Sequence, residues 1–374
     1  MLFAQNGWQV VLLGVDAPDT RKLRFRKIAG VTVRYFPVFA SAPRWIRKVC
    51  YLGYVFWVML HIAILRPEWI YLSDIYSTFI GVVLRKLCAG IKLIYHEHDI
   101  PAFDQIQPFW KKYHFKILKI ARLCIVPSAG RIEHIQKNGA APGKIITVWN
   151  CPARVDVANI KTHPKNRRPS FLRLYYHGSI VPQRIPYELF EAISKFGNKC
   201  QIIIAGYETL GGRGYLNQIR EFSRRLNIMK QIQIVEAIPR ADLFKFCSVF
   251  DVGISLMPFK SDDPNHLTMA GASNKAFDYL ACGLALLVSD LPDWNDMFVK
   301  PGYARACKSD NIESIAGTLD WFMTHPKQTR EMGMMGREKV LREWNYENQF
   351  LPVIEKMKKN SVNEVNIKVC VDTP

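Results

Sequence analysis

Short apolar runs alternate with longer segments of helical periodicity along most of the chain, and this alternation is the feature that most limits its fold. A run buried on both faces, followed by an amphipathic helix, builds a parallel sheet flanked by helices. The first set of runs is Gln9–Gly14, Val31–Phe36, Trp69–Leu72, Lys92–Tyr95, Leu123–Val126 and Ile145–Val148. A second set is Leu172–His177, Gln201–Ala205, Ile232–Val235, Val252–Leu256 and Leu286–Ser289. Residues 161–170, polar, basic and broken by Pro164 and Pro169, separate the two sets and read as a linker. The expectation is an α/β chain of two doubly wound domains, 1–160 and 171–344, with residues 359–374 as a tail, part of a frayed basic stretch from Lys356. A length of 374 residues suits two cores better than one.

Between the runs, Arg131–Asn138 has the pattern of a helix closed by Gly139. Pro186 suits a first helical turn, and Leu189, Phe190, Ile193 and Phe196 follow along one face. The start is unusual. Residues 1–7 read as the end of a helix and Gln9–Gly14 as the strand after it, whereas a doubly wound domain opens with a strand and a glycine-bearing loop. The first domain is therefore expected to lack its first strand, which belongs at the centre of the sheet.

The chain has 51 basic against 32 acidic residues, a net charge of +19, so an anionic partner is expected: nucleic acid, lipid headgroups or a phosphorylated substrate. Nine cysteines without paired spacing read as reduced thiols of a cytoplasmic protein, and no pair has zinc-site spacing. From Val49 to Leu65 there is no formal charge. This stretch reads as a buried helix feeding the strand at Trp69. Contact with a membrane interface is the other reading, because Arg44, Trp45, Arg47 and Lys48 lie just upstream.

Four segments carry the candidate chemistry. In Tyr175-Tyr-His-Gly-Ser-Ile-Val-Pro-Gln-Arg184, a strand runs into a glycine turn before a helix. Gly178 lets backbone N–H groups approach an anion, and Arg184 can clamp a diphosphate. An ordinary turn with a surface arginine fits the same residues. Gly206 ends a buried strand, and Gly211, Gly212 and Gly214 follow in a loop. A short helix starts at Arg240, with Asp242 as a plausible helix-start residue, ahead of a strand reaching Pro258. In Ser273-Asn-Lys-Ala-Phe-Asp278, Lys275 and Asp278 share a helix face, suited to a phosphate and to ribose hydroxyls respectively, or to a surface ion pair.

These segments together resemble a family 4 glycosyltransferase of the GT-B fold, from Gly7 to about Met357. Asn274, Lys275, Phe277, Asp278, Tyr279, Ala281 and Gly283 match its "P-N-K-x-x-E-Y-x-A-x-G" element. Gly178 with Arg184 resembles the donor-diphosphate loop, and Arg240, Asp242 and the strand to Pro258 resemble the family's helix-then-strand element. Leu123–Ser128 and Val148–Asn150 resemble the elements ending the first domain. Trp344-Asn-Tyr346 resembles the start of a last helix, about residues 345–358, that crosses back to the first domain. The resemblance implies two Rossmann-like domains facing across a cleft. It implies sugar transfer, with retention, from a nucleoside diphosphate, UDP- or GDP-linked, to a hydroxyl of a glycan or lipid-linked acceptor. It implies no cofactor and no catalytic metal. Arg184 and Lys275 would be catalytic. Gly178, Ser179, Arg184, Gly206, Arg240, Asn274, Lys275 and Asp278 would bind the donor, with Asp278 on the ribose.

The chain departs from the pattern: Asp278 stands where glutamate is common, and the missing first strand would remove the acceptor-side glycine loop. The first of the family's paired acids falls on Ala270, with Asp262 and Asp263 nearby, and the arginine that often follows the diphosphate glycine is Ser179. Tyr95-His-Glu-His-Asp99 ends a first-domain strand on the edge that faces the acceptor in the family. His96, Glu97, His98 and Asp99 are therefore acceptor-side candidates, with His96 and His98 for proton handling. Alternation along an extended segment sends neighbours to opposite sides, which argues against a metal held by His-Glu-His. Arg21, Lys22, Arg24, Arg26, Lys27, Lys111, Lys112, Lys116 and Lys119 join Arg44, Arg47 and Lys48 in a basic first domain. With that charge, the resemblance implies a peripheral position on the inner face of a cell membrane, in polysaccharide biosynthesis. A nucleotide-sugar epimerase, an inactive relative and a nucleic-acid-binding protein are the alternatives; the last lacks any recognition motif. The sequence sets no oligomeric state.

Overall fold

A computed structural model describes residues 1–16, 28–37, 43–102, 105–160, 171–209, 212–360 and 367–371. The chain forms two compact units, Met1–Val148 with Phe350–Pro374, and Trp149–Gln349. The boundary thus falls earlier than residue 160. Asn150 shows why: its backbone N–H donates to Gly271 O at 2.9 Å and its side chain to Ala272 O at 2.7 Å, both in the second unit. The linker at 161–170, the basic run Arg21–Lys27 and Gly211 lie outside the described residues.

Strands of the first unit are β1 (Gln9–Asp16), β2 (Val31–Pro37), β3 (Trp69–Ser73), β4 (Lys92–His96), β5 (Leu123–Val126) and β6 (Ile145–Thr147). Those of the second are β7 (Leu172–Ser179), β8 (Cys200–Tyr207), β9 (Ile232–Val235), β10 (Val252–Ser255), β11 (Ala285–Ser289) and β12 (Ala304–Cys307). One more, β13 (Ile367–Val371), follows at the far end of the chain. The eleven expected strands are all present, and β12 and β13 are additions.

The second sheet runs β12-β11-β10-β7-β8-β9, all parallel. Read outward from β7, this is the doubly wound order, with the reversal between β7 and β10. Its central strands β10 and β11 are buried at every residue, as parallel strands covered on both faces must be.

The first sheet runs β2-β1-β13-β3-β4-β5-β6. The place of the expected missing strand is taken by β13, parallel to both neighbours, with Gln9 opposite Ile367 and Trp69 opposite Lys368. Residues 367–371 are therefore a central strand, which corrects the reading of a frayed tail and of a sheet one strand short. The physical cause is ladder satisfaction: without β13, the facing edges of β1 and β3 would be left unpaired.

Helices in chain order are α1 (Leu2–Gln5), α2 (Arg44–Leu65), α3 (Thr78–Leu87), α4 (Pro108–Ile120), α5 (Ile132–Lys137), α6 (Arg154–Val157), α7 (Tyr187–Ser194), α8 (Tyr215–Arg225), α9 (Arg240–Cys247), α10 (Pro264–Leu267), α11 (Asn274–Ala281), α12 (Pro292–Trp294), α13 (Ile312–Thr324), α14 (Pro326–Arg342) and α15 (Tyr346–Lys359). Helix α15 starts in the second unit and ends in the first, where Phe350 meets Phe3 edge-on at 5.3 Å. Pro186 is the cap residue before α7, and Leu189, Phe190 and Ile193 are buried in the core, as their spacing indicated.

Candidate active site

In the second unit, β7 does not stop at His177. It continues through Gly178 and Ser179, paired with Gly206 and Tyr207 of β8. Helix α7 begins only at Tyr187, so the helix start expected beside Gly178 lies further along the chain. The helix whose first turn reaches Gly178 is α11. Gly178 has φ +113°, which favours glycine, and a Cβ there would sit 2.9 Å from Lys275 Cε, so the lysine lies directly against this backbone. Gly206 is equally constrained: a Cβ would lie 2.0 Å from Gly178 O.

Lys275, in the first turn of α11, is 5% exposed, and burial, followed by the nearby Arg184 charge, pushes its amine down to about 7. Among the described residues, no hydrogen bond or ion pair reaches its Nζ, and it lies 5.7 Å from the Tyr176 ring centre. Arg184 Nη1 donates to Ser179 Oγ at 2.9 Å, and Arg184 Nε is buried with no partner. Ser273 precedes α11 but does not cap it, and its buried Oγ is also without a partner. Lys275 against Gly178 and Arg184 on Ser179 thus place two basic groups beside one glycine, an arrangement completed by an anion.

Asp278 is fully buried, with both oxygens on Arg240: Nη1–Oδ2 is 2.6 Å and Nη2–Oδ1 2.9 Å. Burial alone would raise the Asp278 carboxyl; His177 and Arg240 outweigh it and hold it below its ordinary value. His177 Nε2 lies 3.3 Å from Oδ2 but is not aligned for a hydrogen bond, and burial keeps the imidazole below its usual range. The surface Lys275–Asp278 ion pair is therefore corrected: both are buried, and Asp278 is paired with Arg240 of α9. The carboxylate expected on a ribose instead faces a guanidinium whose side chain is 46% exposed. Asn274 is exposed at the first position of α11. Asp242 sits in the first turn of α9 but does not cap it, since the cap position is Pro239. Ala270 is half-buried, and Asp263 accepts from Asn265 N at 2.9 Å to cap α10, which gives that acid a structural task. A groove of about 780 Å³ beside β12 and α14 shares no residue with this constellation.

Residues His177, Ser273 and Tyr279 join the site without having been singled out. The Tyr279 hydroxyl accepts from His177 N at 3.0 Å, tying α11 to β7. Only the quoted motif around Tyr279 could have signalled it.

In the first unit, alternation after β4 does split the His-Glu-His segment. The His96 and His98 rings lie 3.8 Å apart on one side. Glu97 turns inward, 1% exposed, with Oε2 2.5 Å from His114 Nε2 and 3.3 Å from the Tyr95 hydroxyl. Its Oε1 is 3.8 Å from His134 Nε2. Glu97 is thereby a buried anchor between β4, α4 and α5, which corrects its grouping with accessible acceptor residues. Glu97, His114 and His134 bring ligand-type atoms within 4.8 Å of one another, although the short Glu97–His114 contact is itself a direct hydrogen bond. Their separation in sequence hid this cluster. His96 is buried, bonded to the Tyr71 hydroxyl, and burial, with His98 beside it, drives its imidazole well below the usual value. His98 is half-buried, with its N–H on Asp74 Oδ1 at 2.8 Å. Asp99 is exposed, 3.5 Å from Arg131 Nη1.

Two family models match this chain, the family 4 glycosyltransferase model over residues 2–152 and a glycosyl transferase-like model over 184–354. The chain thus carries glycosyltransferase domains, the first of them similar to family 4. Its fold is GT-B, with two Rossmann-like domains. Sucrose-phosphate synthase from Thermosynechococcus elongatus superposes with a TM-score of 0.72 at 14% identity, over 96% of this chain and 90% of that one. Anabaena HepE, solved with UDP-glucose, gives 0.68 at 12% identity, over 94% and 99%. WaaG, a glycosyltransferase involved in lipopolysaccharide biosynthesis, gives 0.58 at 10% identity, over 95% and 100%. No curated protein matches the sequence.

Proposed function

We propose that this glycosyltransferase moves a sugar from a nucleoside diphosphate to a hydroxyl of a glycan or lipid-linked acceptor, with retention. Its setting would be polysaccharide biosynthesis at the cytoplasmic face of a membrane. The observation that carries the donor reading is Lys275: a buried amine with no carboxylate in ion-pair contact, against the Gly178 backbone and beside Arg184. A diphosphate supplies the missing charge. As the bond from the anomeric carbon to the diphosphate breaks, negative charge grows on the leaving oxygens, where Lys275, Arg184 and nearby backbone N–H groups stabilise it. The new bond forms from the same face to the acceptor oxygen, and the departing phosphate takes the acceptor's proton. Asp278 serves by holding Arg240, whose exposed portion is then the group offered to the nucleotide. The UDP-glucose seen with HepE makes UDP the first nucleotide to test and UDP-glucose the first donor.

Thermal unfolding with UDP, GDP, ADP and CMP tests this. One nucleoside diphosphate should raise the melting temperature, and Lys275→Ala should remove that shift and cut sugar transfer by ~100-fold or more, as expected for losing a donor aimed at developing charge. A folded wild-type protein that responds to none of the four would overturn the reading.

A further inference from the structure

Helix α2 has two apolar faces, and only one has a partner. Tyr54, Val58 and Ile62 are buried in the first unit's core, and the Tyr54 hydroxyl donates to Leu13 O at 3.1 Å. On the opposite side Trp45, Val49, Leu52, Phe56, Leu60 and Ile64 are exposed, up to 72% at Phe56. Their spacing of three or four residues makes one continuous stripe. Residues 45–65 are long and apolar enough to cross a membrane, yet the inner face cannot leave the core without stripping it. A stripe of this size on a soluble surface marks a binding face.

Beside the start of α2 lies an open groove of about 670 Å³. Its mouth carries Arg47 and Lys48, and its walls include Tyr51, Tyr76, Phe109 and Trp110. Trp110 meets Tyr51 edge-on at 5.4 Å and Tyr76 at 5.1 Å, and the Tyr51 hydroxyl donates to Tyr76 O at 3.0 Å, so the aromatic walls are fixed. Helix α4, which supplies Phe109 and Trp110, continues with Lys111, Lys112, Lys116 and Lys119, all exposed. Neither α2, α3 nor α4 contains an acidic residue. A second copy of the same face would therefore meet like charge, whereas an anionic surface is matched.

We propose that this face docks on an anionic phospholipid bilayer. The α2 stripe lies among the acyl chains, parallel to the surface, and the groove seats a lipid phosphate between Arg47, Lys48 and the aromatic walls. This rests on the membrane part of the proposed function and not on its sugar-transfer chemistry.

Flotation of the full chain with phosphatidylcholine vesicles, plain or carrying about 30% phosphatidylglycerol, tests it. Wild type should float with the anionic vesicles only. A double change Leu52→Glu with Phe56→Glu should reduce binding at least tenfold, and Arg47→Glu with Lys48→Glu should do so with a weaker salt dependence. Lys327→Glu, an exposed charge in the second unit, is the control for bulk charge and should change binding little. The UDP-induced melting shift, unchanged in each variant, reports an intact donor domain. Circular dichroism reports the folding of the first. Wild-type flotation that survives the α2 changes, or falls equally with Lys327→Glu, would overturn this site while leaving a peripheral protein. No flotation of wild type would sink both, and neither result touches donor binding.

Discussion

In the second unit the strands flanking the topological reversal, β7 and β10, and their neighbours β8 and β11 come from one continuous segment. In the first, the same structural position between β1 and β3 is filled by β13, from the other end of the chain. The order of strands is shared; the distance along the chain that must be closed is not. Loop-closure entropy grows slowly with length, so the first sheet is reachable, but its central pairing is the most non-local in the molecule. The second unit therefore carries its own complete sheet, and the first borrows its centre from a segment beyond the second.

The largest test of this difference is removal of everything after Asn360. The first unit should lose cooperative unfolding, because β1 and β3 would each lose their ladder to β13. The second should keep its melting transition and its response to UDP. Hydrogen exchange resolved along the chain would show it, and equal protection of β1 and β3 with or without β13 would break the comparison.

A smaller effect sharpens the second unit's part. An anion beside Lys275 raises the amine above its free value of about 7, so binding takes up a proton. Affinity is full below the free value and falls as pH rises through the window up to the bound value. The Kd for UDP should therefore climb between pH 7 and 9 by up to about tenfold per pH unit. Lys275→Met should flatten that slope. A wild-type Kd independent of pH over this range would mean that Lys275 does not meet the diphosphate. The smallest effect is expected from Asp278→Asn, which weakens the anchor of a partly exposed arginine and should cost about 1–2 kcal/mol in the second unit's unfolding free energy. A first-unit transition shifted by the same change would contradict the independence of the two sheets.

The same contrast governs what could be read in the sequence. Eleven strands were legible because each is a local run of apolar, often β-branched residues. Strand β12 was not, since Ala304-Arg-Ala-Cys307 is short and weakly patterned. Strand β13 did carry a signal: Ile367, Val369 and Val371 alternate with Lys368 and Cys370, a period-two pattern overshadowed by the basic residues before it. At the candidate site, Gly178, Arg184 and Lys275 were found from motif spacing, and the structure brings them together. The partner of Asp278 was missed because spacing suggested Lys275, three residues away, whereas Arg240 arrives from another helix. Glu97 was misjudged for the same reason, since its environment is made by His114 and His134 from two helices further on.

Vectorial synthesis gives the placement of β13 a further meaning. Every other element of both sheets leaves the ribosome before this strand does, so the earlier-made unit waits with an open seam while the later-made one can already close. The usual order of maturation, amino-terminal domain first, is reversed. During that interval the unpaired edges of β1 and β3 are exposed to any extended peptide, and a chaperone that shields strand edges would be needed most by the half of the protein that was translated first.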